Sequence, residues 1–364
     1  MTEAELNKMI LVYTNKIRKD HPEFLKFLNE MPITVPYEEN PEINVEALSN
    51  YHQSLVSLFK DHQIYTPIDK LPEVVESLPV TQIKTMELDN TYQNLKIEVN
   101  NIIISYNDVG EGKVPILFLH GFPFDKSMWK IQMDNLKATN RVIAIDIRGF
   151  GESLDETTPL SIDIFGNDII EFMNKLKIDK AIVCGLSMGG YIALNIIEKF
   201  RGRFVGLILC DTQCIADTIE VKENRYKTIE QINTVDASEF NENFINSVFH
   251  QDSMINKIEI VENLKKTVLA NSKSIIISGL TAIAERLQTC SNLDTIDVPT
   301  LIICGREDKI TPLVQSQYIQ QQIKGSVLKI IDSAGHVSNL EQPDEFNKCI
   351  IDFLNSIAIN EIHS

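Results

Sequence analysis

The stretch Ala181-Ile182-Val183-Cys184-Gly185-Leu186-Ser187-Met188-Gly189 decides how this chain is read. Its first four residues are continuously apolar, as in a strand buried on both faces. A helix is expected to follow over Gly189–Phe200. Between them, Gly185-Leu186-Ser187-Met188-Gly189 is the pattern G-x-S-x-G in the setting that gives it meaning: strand, sharp turn, helix. Such a turn holds the serine in strained backbone geometry and projects its hydroxyl from the end of the sheet. Side chains two residues to either side would collide with the crossing backbone, hence glycine at 185 and 189. The helix N-terminus behind Ser187 offers unbonded N–H groups and a positive dipole end to a developing oxyanion. Ser187 is therefore expected to be a nucleophile.

On either side of this stretch the same alternation recurs. Leu95–Val99 and Ile102–Tyr106 are expected to form a hairpin. Further short apolar runs lie at Val114–Leu119, Val142–Ile147, Val205–Cys210, Pro299–Cys304 and Val327–Ile331, bounded by Gly, Asp or Pro. Helical stretches such as Ile162–Leu176 separate them. Strands alternating with helices predict an α/β architecture with a mostly parallel sheet. Between Asp211 and Asp297 no strand is expected and helical periodicity dominates, so this insertion after the sixth strand should form a helical cap.

A serine hydroxyl needs a base. Of seven histidines, His336 is the best placed, in Ala334-Gly335-His336 between the last strand and the final helix. His21, His52 and His62 lie in the N-terminal region, His250 in the cap and His363 in the tail. The orienting acid is expected to be Asp308, just past the strand Pro299–Cys304 at the carboxyl end of the sheet, where ligand-handling groups converge in such folds. Glu307 and Asp211 are rival acids. After the strand Val114–Leu119 comes His120-Gly121-Phe122-Pro123. There the backbone N–H of Phe122, paired with that of Met188, would form an oxyanion hole, each donor supplying about 3 kcal/mol of barrier lowering. His120 is read as a structural turn residue. Trp129 is a candidate for lining the substrate pocket, or for core packing.

At these residues the chain resembles the α/β-hydrolase superfamily over about Asn94 to Leu354. Asp146-Ile147-Arg148-Gly149-Phe150-Gly151-Glu152-Ser153 looks like that superfamily's D-x-R-G-x-G-x-S loop after the fourth strand. Cys210-Asp211-Thr212, Ala216-Asp217-Thr218 and Arg225-Tyr226 look like the cap entry of 3-oxoadipate enol-lactonase-like hydrolases, a group with many carboxylesterase relatives. The resemblance implies an α/β-hydrolase fold: a mostly parallel eight-stranded sheet flanked by helices, with a helical cap inserted after strand 6. It implies the chain order Ser187, Asp308, His336 for the triad. Residues 93–211 and 294–358 would form the core and 212–293 the cap. Dehalogenases and epoxide hydrolases of the superfamily carry aspartate at the elbow. Serine there favours an ester, thioester, lactone or carbon–carbon acyl substrate, and Met188 after it is shared with perhydrolases. A small carboxylic ester is the first expectation and a small lactone or carbon–carbon substrate the second. A reading of another class is a catalytically silent receptor or scaffold. No cofactor or metal is implied.

Composition sets the remaining bounds. The chain has 364 residues, 43% hydrophobic and 23% charged, with a formal net charge of -17. This acidic field disfavours nucleic-acid and anionic-membrane partners. No apolar run approaches the roughly 18 residues of a membrane span. The six cysteines show no CxxC or zinc-type spacing, and Cys184, Cys210 and Cys304 lie in strand-like runs. A reduced, cytoplasmic setting is expected. Residues 1–92 are rich in Glu, Asn, Pro and Lys. They read as a helical N-terminal extension and linker, acting either as a partner-binding or lid element or as an arm packed on the main domain. The extension departs from the resembled family.

Overall fold

The computed structural model describes residues 94–362, apart from 154 and 156–158, together with residues 53, 56 and 60, which are helical. Beyond those three positions, the expected extension over 1–92 lies outside the described residues. The chain divides into units Met1–Leu88 and Asp89–Ser364, and the second holds the sheet and the candidate catalytic residues.

Eight strands form one sheet: β1 (Leu95–Val99), β2 (Ile102–Val109), β3 (Ile116–Leu119), β4 (Val142–Ile145), β5 (Ala181–Leu186), β6 (Phe204–Cys210), β7 (Thr300–Gly305) and β8 (Val327–Ile331). Their spatial order is β1-β2-β4-β3-β5-β6-β7-β8. The β1–β2 hairpin turns on Asn100 and Asn101, whose φ of 46° and 66° are the left-handed pair that a two-residue type I′ turn requires. β2 runs antiparallel to β4, and β3 to β8 are mutually parallel. From β3 the chain winds one way to β4, then returns to place β5 on the other side of β3. The crevice beyond the carboxyl ends of β3 and β5 is thus the switch point where such sheets bind ligands.

Every residue of β3, β4, β5 and β7 is buried, which accounts for their unbroken apolar sequences. The edge strand β8 is partly exposed along its length. Helices α1 (Lys130–Leu136), α2 (Ile162–Lys175) and α3 (Met188–Lys199) follow the first crossovers. α2 begins where the Ser161 hydroxyl accepts the Ile164 N–H, an N-cap worth about 1 kcal/mol. Two apolar clusters fill the faces of the sheet. Leu117, Leu119, Val183 and Leu207 pack with Phe165 and Phe172 of α2 and Ile192 and Ile196 of α3. Ile116, Phe118, Ile182 and Ile208 face the other way, toward Met133 and Leu136 of α1.

The insertion between β6 and β7 is helical, as expected: α4 (Ile219–Thr234), α5 (Ser238–Val248), α6 (Gln251–Asn256), α7 (Ile258–Leu269) and α8 (Lys273–Ala284). The core then resumes with α9 (Leu313–Gln322), α10 (Ser338–Glu341) and α11 (Pro343–Ile362); Phe346 and Ile350 of α11 join the α1 face. A disulfide joins Cys214, at the entrance of the insertion, to Cys290, at its exit. This bond departs from the reduced setting expected from cysteine usage, and the 76-residue separation leaves no local spacing signal. Cys184, Cys210, Cys304 and Cys349 are buried thiols. Among the described residues no single helix is long and apolar enough to cross a membrane.

Candidate active site

Ser187 sits between β5 and α3 with φ 54° and ψ -115°, a conformation that costs a non-glycine residue about 1–3 kcal/mol. Its surroundings hold it there. Its N–H donates to Cys210 O at 2.9 Å, and its carbonyl accepts the N–H groups of Gly190 and Tyr191 at 2.9 and 3.1 Å and the Thr212 hydroxyl at 2.8 Å. The flanking glycines are compulsory: a Cβ at Gly185 would lie 2.2 Å from Gly189 O, and one at Gly189 would lie 2.2 Å from Leu119 O.

The turn after β3 comes against this elbow, with the Cβ position of Gly121 only 3.2 Å from Ser187 Cβ. His120 anchors the turn. Its Nε2 accepts the Ile147 N–H at 3.0 Å, so Nδ1 carries the hydrogen that faces Gly121 O at 2.8 Å. Burial pushes its pKa down, in keeping with a neutral ring in a structural role. Among the described residues the N–H groups of Phe122 and Met188 donate to no backbone acceptor. For Met188 this follows from its place at the first position of α3, where no preceding turn supplies a carbonyl.

The structure brings His336 and Asp308 together. His336 Nδ1 lies 2.9 Å from Asp308 Oδ2, and both side chains are buried. Asp308 is locked in turn: Oδ1 accepts the N–H groups of Ile310 and Thr311 at 2.8 and 3.0 Å, and Oδ2 accepts the Thr311 hydroxyl at 2.7 Å. Burial opposes ionisation of Asp308, but the His336 ring and these donors outweigh it and hold the carboxyl below its usual range. Burial likewise opposes a charged His336, yet the charge and hydrogen bond of Asp308 raise its pKa on balance. The described hydrogen bonds of the His336 ring run through Nδ1; none joins the ring to Ser187 Oγ. Such bonds are often loose before substrate binds.

The rival acids go elsewhere. Glu307 Oε2 accepts the Ala334 N–H at 3.3 Å. Asp211 accepts the Gly305 N–H at 2.7 Å and the Ser338 hydroxyl at 2.5 Å. Burial, then the charge of Asp308, pushes the Asp211 pKa up to about 8. Asp211, Cys304 and Asp308 offer ligand-type atoms within 4.8 Å of one another, but hydrogen-bond donors already engage all four carboxylate oxygens.

Trp129 does not line the site. Its side chain is fully buried, packed on Phe118 at 4.7 Å and Phe346 at 6.2 Å between ring centroids, on the α1 face of the sheet. The residues that do cover the Phe122 turn come from the cap. Phe240 and Phe244 of α5 stack on each other and approach Phe122 to 6.3 Å each. A Cβ on Gly279 of α8 would lie 2.5 Å from the Phe122 ring. The spacing of four between Phe240 and Phe244, which puts both on one helix face, was the available signal. The Asp146–Ser153 loop buttresses the site from behind. Asp146 accepts the Lys126 Nζ at 2.6 Å and the N–H groups of Lys126 and Glu152. Arg148 is buried between Asp168 and Asp155.

Comparison with known proteins agrees with this architecture. The sequence profile of the alpha/beta hydrolase fold family matches residues 114–343. The chain is 29% identical over 256 residues to 3-oxoadipate enol-lactonase 2 of Acinetobacter baylyi, covering 70% of this chain and 94% of that protein. It is 30% identical over 276 residues to the AB hydrolase superfamily protein YisY of Bacillus subtilis, covering 70% and 97%. Among solved structures, a thermophilic esterase from Thermogutta terrifontis superposes with a TM-score of 0.69 at 32% identity, covering 73% of this chain and 99% of the esterase. The enol-lactonase from Burkholderia xenovorans superposes with a TM-score of 0.67 at 27% identity, covering 72% and 100%. With its family profile spanning residues 114–343 and its strands wound in this order, the chain belongs to the α/β-hydrolase family.

Proposed function

We propose that the chain is a serine hydrolase that cleaves a small carboxylic ester through an acyl-enzyme on Ser187. With the Nδ1 hydrogen directed at Asp308, the Nε2 lone pair of His336 is free to take the Ser187 proton as Oγ attacks the acyl carbon. The carbonyl electron pair moves to oxygen, which the N–H groups of Phe122 and Met188 receive. Collapse of this intermediate breaks the ester C–O bond, and the imidazolium protonates the departing alcohol. Water, deprotonated by His336, then attacks the acyl-enzyme, releases the acid and restores Ser187. The observation that carries this reading is the 2.9 Å His336–Asp308 hydrogen bond, which fixes the tautomer a serine base requires.

An ester is favoured over the lactone named for the Acinetobacter relative. A lactone derived from a dicarboxylic acid keeps a carboxylate, which calls for an unpaired cation. The cap presents Phe240 and Phe244 to Phe122, and among the described residues the buried cations Arg148, Arg286 and Lys126 are each committed to an aspartate. The test is turnover of a p-nitrophenyl ester series against simple lactones and an enol-lactone. Esters of short neutral acids should be the better substrates. Far faster turnover of the lactones would replace the esterase reading with the lactonase one.

A further inference from the structure

The region behind His336 contains a buried carboxylate that the proposed reaction does not use. Glu341 closes the short helix α10, five residues after His336, and is fully buried. Its Oε1 accepts the Gly335 N–H at 2.6 Å. Its Oε2 accepts the N–H of His250, at the joint between cap helices α5 and α6, at 2.7 Å. The Ser253 hydroxyl of α6 also bonds to it, and Lys257 Nζ bonds to its backbone carbonyl. One carboxylate thus holds both the residue preceding His336 and the cap.

The same two segments touch directly. The His336 N–H donates to Val248 O at 2.7 Å. The Cβ position of Gly335 lies 2.7 Å from Val248 O and 2.9 Å from His250 N, so there is no slack between them. Val248 ends α5, the helix that sets Phe240 and Phe244 against Phe122. Displacing α5 would therefore pull on the backbone of His336.

We propose that Glu341 is a positioning residue that couples the seating of the cap to the placement of His336. The inference rests on the serine-hydrolase reading above. Asp308 meets the imidazole in bonding contact from the loop after β7, while Asp211, at the end of β6, and Glu341, on α10, act on it through charge. As anions, Asp308 and Glu341 favour the imidazolium, and Asp211 joins them only above its own pKa of about 8. Glu341 faces His250 across the cap joint. Its own pKa is raised on balance by burial, which outweighs the three donors, from Ser253, His250 and Gly335, that favour the anion.

The test is Glu341→Gln in the full chain, assayed on the best p-nitrophenyl ester and by NMR titration of the His336 ring. An amide keeps the shape but must turn its NH2 toward either Gly335 N–H or His250 N–H, breaking one arm of the link. The expected result is a kcat lower by about 10- to 100-fold, the scale on which displaced catalytic groups lose rate, with KM little changed. Losing the anion should also move the acid limb of kcat/KM and the His336 titration to lower pH. Wild-type kcat with an unmoved titration in the folded variant overturns the proposal. Should Glu341→Gln not fold, Ser253→Ala removes one donor and keeps both backbone bonds. A several-fold lower kcat is then expected, and a wild-type kcat overturns the proposal. Ser187→Ala separates the two claims. Ester turnover that survives it sinks the hydrolase reading itself, whereas its loss beside a fully active Glu341→Gln sinks only the role of Glu341.

Discussion

Replacing Asp308 with asparagine keeps its volume and changes one atom, and the hydrogen bonds around it dictate the outcome. Oδ1 accepts two backbone N–H groups, from Ile310 and Thr311, and Oδ2 faces the Thr311 hydroxyl and His336 Nδ1. The amide oxygen must remain at the Oδ1 position, because an NH2 there would oppose two backbone donors in a buried site. The NH2 then occupies the Oδ2 position and donates to His336 Nδ1. Thr311 rotates its hydroxyl to suit, and the imidazole is forced to carry its hydrogen on Nε2. That tautomer cannot accept the Ser187 proton. In serine proteases the same exchange lowers kcat by about 10⁴, equivalent to about 5.5 kcal/mol of barrier. Asp308→Asn should show a loss of that order on a p-nitrophenyl ester, with an intact circular dichroism spectrum and cooperative melting. Its residual activity should hold to lower pH than the wild type's, since the anion that raises the His336 pKa is gone. A folded Asp308→Asn variant within tenfold of wild type, beside an inactive Asp211→Asn, would refute this reasoning and make Asp211 the orienting acid.

Other perturbations probe separate parts of the site and the fold. For the wild type, Asp308 raises the His336 pKa, so kcat/KM should fall on the acid side around a midpoint above the ordinary value of about 6.5. Asp211 ionises at about 8 when folded against 3.8 ordinarily, so its ionisation draws stability from the fold as pH rises between those values. Asp211→Asn, which can still accept from Gly305 and donate to Ser338, should melt higher than wild type at pH 9 and lose that advantage at pH 4. Gly189→Ala drives a Cβ to 2.2 Å from Leu119 O. It should destabilise the chain by at least the roughly 1–3 kcal/mol typical of overpacking and abolish ester turnover, read by thermal denaturation and assay. The Cys214–Cys290 bond closes a segment of 76 residues, for which chain entropy gives about 4.5 kcal/mol. Cys214→Ser with Cys290→Ser should lower the denaturant midpoint accordingly.

Much of this architecture is legible in the sequence because parallel strands buried on both faces are continuously apolar. The runs at Ala181–Cys184 and Pro299–Cys304 therefore stand out against their polar boundaries. The G-x-S-x-G turn is legible for a related reason: only glycine fits where a Cβ would strike a carbonyl, so sterics leave a mark in one dimension. His336 and Asp308 follow from their places after β8 and β7. What escaped has no local periodicity. Trp129 sits on the far face of the sheet from α3, and which face a residue between β3 and α1 takes depends on the path of the turn. The Cys214–Cys290 pair is remote in sequence. Glu341 and Ser338 are ordinary polar residues whose roles arise only when β6, β7, α10 and the cap converge on His336.

The proposed chemistry requires Ser187 to be an activated nucleophile, and covalent labelling tests that most directly. A fluorophosphonate reacts when a serine oxygen attacks phosphorus and displaces fluoride, with the proton passing to the base. Incubation with such a reagent, followed by intact-mass and peptide-level mass spectrometry, should show one adduct on the peptide containing Ser187. It should be absent from Ser187→Ala and formed far more slowly in Asp308→Asn. An unlabelled wild type, or label on another residue at the same rate in Ser187→Ala, would contradict the claim that this elbow, with His336 and Asp308, is the reacting centre.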